Sequence, residues 1–154
     1  MEDLEQFVES SLRVGLIASA ATTLAVNALG EFEEGNAVAP INAVSHILWG
    51  DRAAEQKDAS VKYTLAGGLL NTAAIVGWAG VHQLLFARSP LTKSLPGALA
   101  AGSMTSALAY VTDYYVVPKR FTPGFEKRLS NYSLFGVYVT LAVALAAGGA
   151  RRSS

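Results

Sequence analysis

Residues 63–86 read YTLAGGLLNTAAIVGWAGVHQLLF, twenty-four positions without one Asp, Glu, Lys or Arg. As a helix at about 1.5 Å per residue this run is about 36 Å long, enough to cross a hydrocarbon layer of about 30 Å. Three more apolar stretches surround it: Val14–Leu29, Leu95–Val117 and a run from Ser133 to about Gly149. The first extends to Leu12 and Gly30 if Arg13 snorkels toward the head groups. In the other three, Asp113 and His82 are the only side chains of the acidic, basic or imidazole type. The expected fold is therefore all-α, an integral membrane four-helix bundle. It forms a single transmembrane domain over residues 1–154, with spans at about 12–30, 63–86, 95–117 and 133–149.

Composition agrees with lipid as the solvent. Hydrophobic residues make up 51% of the chain and charged residues 16%, against about 25% charged in soluble domains. Twelve basic and twelve acidic side chains cancel, so no net field draws the protein to nucleic acid. The chain has no cysteine, which removes disulfides, thiolate metal sites and cysteine nucleophiles. The opening Met1-Glu2-Asp3-Leu4-Glu5 is acidic where a signal peptide is basic, so the first apolar stretch is expected to be a retained span.

Between spans 1 and 2 lies a long connection, residues 31–62. Its piece Ala37–Trp49 turns apolar again but is too short to span and carries Pro40. Ile41, Val44, Leu48 and Trp49 share one helical face, with Asn42, Ser45 and His46 toward the other. That pattern predicts a short interfacial or re-entrant helix over 37–49. Residues 1–13 read as an amphipathic lead-in.

Orientation is weakly encoded. Loops 1 and 3 hold Arg52, Lys57, Lys62, Lys119, Arg120, Lys127 and Arg128, while the opposite side holds Arg13, Arg88, Lys93, Arg151 and Arg152. Seven bases against five lean toward loops 1 and 3 being cytoplasmic. The overall pattern is similar to that of small bacterial inner-membrane proteins, which implies the plasma membrane; no motif ties the chain to a named family.

Helices associate in lipid where small residues let backbones approach. Ala98, Gly102 and Ser106 give span 3 such a seam, Ala73, Gly77 and Gly80 give one to span 2, and Gly136, Thr140, Ala144 and Gly148 one to span 4. These seams predict packing within the bundle and a homo-oligomer or larger membrane complex. Span 1 adds a polar stripe, Ser19, Thr22, Thr23 and Asn27.

Asp113 is the one acid within a span, and an intramembrane carboxylate marks a candidate functional site. His82 shares a helical face with Asn71 and Trp78. His46 and His82 are candidate haem ligands, although topology places them toward opposite membrane faces. Glu31, Glu34, His46 and Asp113 are candidate metal ligands, without any metal-binding spacing. Lys119, Arg120, Lys127 and Arg128, among aromatics, suit contact with anionic head groups of membrane lipids. Catalytic signatures are absent from the sequence.

The expected function is non-catalytic: a structural, accessory or lipid-binding membrane protein, with no cofactor. The alternatives are a small transporter or proton-handling protein using Asp113 and the stripe of span 1, and a haem- or metal-binding redox subunit.

Overall fold

A computed structural model describes residues 1–150; Arg151 and Arg152, counted above, lie outside the described residues. Six α-helices follow one another: α1 (Glu2–Glu34), α2 (Ala39–Val44), α3 (His46–Trp49), α4 (Ala66–Phe86), α5 (Leu95–Val111) and α6 (Asn131–Ala150). Among the described residues there is no strand. Three segments are long and apolar enough to cross a membrane, Asp3–Glu34, Val61–Phe86 and Asn131–Gly149.

The fourth expected span is shorter than its apolar run. Ser94 opens α5 by accepting the Gly97 N–H, and Pro96 sits in the first turn where its missing N–H costs nothing. The regular helix then ends at Val111, 17 residues long, and a π turn, Thr112–Val116, carries the chain to an extended Val117. Extended backbone there is what the following Pro118 requires.

Residues 1–13 are likewise not a separate lead-in. They form the first turns of α1, which runs unbroken for 33 residues until Gly35, at φ 64, takes the left-handed conformation that stops it.

Residues 37–49 also differ from the expected amphipathic helix. The segment is two short helices meeting at Ser45, and every residue of α2 is buried. Asn42 and Ser45 are 0% exposed, so the side expected to be wet is covered. Loop 3 folds over it: Gly124 presses on the Ala43 carbonyl, where a Cβ would come within 2.5 Å. On the inner side Gly67 of α4 meets the Ile41 carbonyl at a Cβ distance of 2.0 Å. Only glycines allow this two-sided approach, and Gly124 also needs its φ of +91. Asn36 starts α2 by accepting from Val38 and Ala39 N–H.

α1 packs along both α4 and α6, and α6 packs along α5, whereas α4 and α5 meet over a short length. One cluster of buried side chains, including Val14, Ile75, Ala109, Leu141 and Leu145, joins all four long helices. A second, with Val26, Ile41, Val44, Phe125 and Leu134, joins α1 and α6 to the cap formed by loops 1 and 3.

The expected seams divide. Ala98, Gly102 and Ser106 all face α6: a Cβ on Gly102 would lie 2.2 Å from the Ala142 carbonyl, and Ser106 donates to the Tyr138 carbonyl at 2.6 Å. Gly136 and Gly148 face α1. Ala73 and Gly77 do not pack within the chain; Ala73 is exposed and nothing lies near Gly77. The buried face of α4 is instead Gly67, Asn71, Ile75, Ala79 and His82.

Candidate functional site

Asp113 stands on the π turn that ends α5, and this turn aims the carboxylate inward. Tyr138 of α6 donates its phenol to Oδ2 at 2.7 Å, and the Trp78 side chain also hydrogen-bonds to the acid. No Lys or Arg pairs with it among the described residues. The acid borders a cavity of about 90 Å³ lined by Thr22, Asn71, Trp78, Phe125 and Tyr138 among others. That space suits on the order of three waters at ~30 Å³ each, and not an organic substrate. Behind Tyr138, the rings of Tyr110 and Tyr114 meet it edge-on and each other at a tilt, at 5.1 to 6.1 Å between centroids.

The polar stripe of α1 is spent largely on helix pairing. Ser19 and Thr72 share a hydrogen bond of 2.8 Å, and Asn71 donates to Thr23 at 3.5 Å. Thr22 returns its proton to the Ala18 carbonyl. Asn27 is the exception: its Oδ1 is buried without a hydrogen-bond partner among the described residues. Pairs of this kind hold helices together in lipid at roughly 1 kcal/mol or less each.

The other candidates are scattered. His46 and His82 do not meet. The N–H of Ser45, next to His46, abuts Gly67, and His82 lies fifteen residues along the same helix, about 22 Å at 1.5 Å per residue. No single haem reaches both from its two faces. Glu34 is paired with Arg128 and Glu31 is exposed, and among the described residues no three His, Asp or Glu side chains converge on a point.

Two of the four bases expected at lipid head groups serve the cap instead. Lys127 bonds Asp51 at 2.8 Å and Arg128 bonds Glu34, each tying loop 3 to the loop-1 side. The Lys127 hydrogen bond and charge hold the Asp51 carboxyl below the usual aspartate range. Lys119 and Arg120 are exposed, without an ion pair among the described residues.

Three residues, Glu33, Tyr138 and Trp78, carry much of this end through partners that the sequence did not indicate. Glu33 accepts the N–H and hydroxyl of Ser130 and the hydroxyl of Ser133, so the end of α1 caps the start of α6. Tyr138 and Trp78 satisfy Asp113. A phenol within an apolar run always needs a partner, and that was the available signal.

These features define an all-helical protein with three helices fit to span a membrane and a half-buried acid, Asp113, held by neutral donors. The chain matches no protein family, no curated protein and no solved structure.

Proposed function

We propose that the chain is an integral membrane protein, its four long helices a transmembrane bundle closed at one end by loops 1 and 3, acting by binding and packing and not by catalysis. The carrying observation is the outward apolar surface of the long helices. Leu16, Leu24, Leu69, Leu84, Met104 and Phe135 are all more than half exposed, far more than the single scattered apolar residues a soluble surface carries. Inside, several polar side chains pair between helices, Ser19 with Thr72, His82 with Thr105 and Tyr138 with Asp113, as hydrocarbon demands. α5, though 17 residues long, reaches about 26 Å, and its π turn adds the remainder. Retention in the membrane pellet after alkaline carbonate and release only by detergent is the expected result; release by carbonate alone refutes the reading.

A second reading is favoured by the Asp113 cavity. A half-buried acid with room for water beside it is suited to taking up and releasing a proton. In proteoliposomes, proton flux should then fall at least tenfold in Asp113→Asn, a change that keeps shape and removes titration. Equal flux in both forms leaves Asp113 as a structural acceptor for Tyr138 and Trp78.

A further inference from the structure

A cavity of about 250 Å³ lies at the end of the molecule opposite the cap, between the last turn of α4, the connection 87–94 and Gly149 of α6. His82, 3% exposed, forms part of its wall. The imidazole Nδ1 lies 2.8 Å from Thr105 Oγ1, and that hydroxyl gives its own proton to the Ala101 carbonyl at 3.1 Å. With the Thr105 proton on the Ala101 carbonyl, the neutral tautomer that satisfies both contacts has its proton on Nδ1 and its lone pair on Nε2. Gly149 leaves that nitrogen open: a Cβ there would stand 3.7 Å from Nε2.

Arg88 and Lys93 also line the cavity. Arg88 is held only loosely, 3.8 Å from Asp3, with both side chains in the open. Ser89 Oγ accepts the Leu91 N–H, which leaves its proton for a ligand. Among the described residues the lining thus offers two cations and a hydroxyl donor, together with a neutral acceptor on a buried ring.

That combination selects among anions. Arg88, Lys93 and Ser89 suit a phosphate ester. The Nε2 lone pair needs a proton from the same ligand, which a polyol hydroxyl supplies. A choline phosphate has no such proton and brings a third positive charge. We propose that this cavity binds the phosphate ester of a polyol, as carried by the head group of phosphatidylglycerol or by free glycerol phosphate. The proposal rests on the membrane reading above, which places the ends of α4 and α6 at head-group depth.

The test uses the full chain in detergent, by native mass spectrometry and thermal shift, with phosphatidylglycerol, phosphatidylcholine and soluble glycerol 1-phosphate as probes. Retention of phosphatidylglycerol over phosphatidylcholine is expected. Lys93→Gln, at an exposed position, should weaken it roughly tenfold, the loss of one charge-assisted bond. Gly149→Leu should abolish it by filling the space before Nε2. Glycerol phosphate that competes assigns the site to the soluble ester; selectivity without competition assigns it to the lipid. Equal retention of both lipids, or binding unchanged in both variants, overturns the proposal. Carbonate extraction of the same variants separates this failure from failure of the membrane reading, since Lys93→Gln lies outside the long helices and Gly149→Leu keeps α6 apolar.

Discussion

Gly102→Leu should push α5 off α6. The obstacle is backbone: a Cβ there would sit 2.2 Å from the Ala142 carbonyl oxygen and 3.2 Å from the Ala146 nitrogen. No rotamer of a neighbour relieves such a contact, so the helices must separate, and the hydrogen bond from Ser106 to the Tyr138 carbonyl stretches with them. Overpacking costs typically 1–3 kcal/mol, and a backbone clash belongs at the upper end, about 3 kcal/mol. Gly77→Leu is the control. It adds the same side chain where nothing lies within 4 Å, and its effect on the fold should stay within about 0.5 kcal/mol. Thermal unfolding in detergent, followed by helical circular dichroism, compares the two. Equal midpoints would mean that α5 and α6 do not touch at Gly102.

Asn42→Leu should detach the loop-1 strap with little change in volume. The Asn42 amide is wholly enclosed and fully used: Nδ2 donates to the Gln56 and Asp58 carbonyls, both at 3.0 Å, and Oδ1 accepts the Thr64 hydroxyl at 2.6 Å. A leucine leaves these partners unserved. The two carbonyls regain water once the strap lifts, so the loss is about 1 kcal/mol for each bond and roughly 3 kcal/mol in all. The strap is the 3-10 turn Asp51–Glu55 and the polar residues 56–60 that follow. Faster cleavage there by a protease specific for Lys57, with α4 and α6 still intact, is the expected observation. Unchanged cleavage would show that the strap is held by Lys127 and Asp51 instead.

The contrast between these two sites shows what the sequence made legible. Long apolar runs are a one-dimensional signal, and α4 and α6 follow from it almost to their ends, whereas α1 starts at Glu2, ten residues before its expected span. Small residues are not such a signal, because Ala73 and Gly77 read like Ala98 and Gly102 until the inward face of each helix is known. The clue lay in the polar residues of the same span. Asn71 and His82 need protein partners in hydrocarbon, so they mark the inside of α4; Ala73, two positions from Asn71, lies about 200° round the helix from it.

Asp113 was legible as an acid in an apolar run, but its partner was not. Tyr138 lies 25 residues away, and no periodicity links a π turn on one helix to a phenol on the next. The cap was the least legible part. Asn42 with Thr64, or Gly67 with the Ile41 carbonyl, are single contacts between segments of unlike pattern, decided in three dimensions.

Glu33 has a further consequence, for the order in which the protein is made. Its carboxylate is synthesised 97 and 100 residues before the Ser130 and Ser133 groups it holds. The α5 helix waits as well, since the carbonyl that fits against Gly102 belongs to Ala142. A nascent chain ending in loop 3 therefore holds both partners of the α1–α4 pairing while α5 lacks its main neighbour. Emergence of the last helix completes both junctions together, so assembly closes in one late step and not helix by helix.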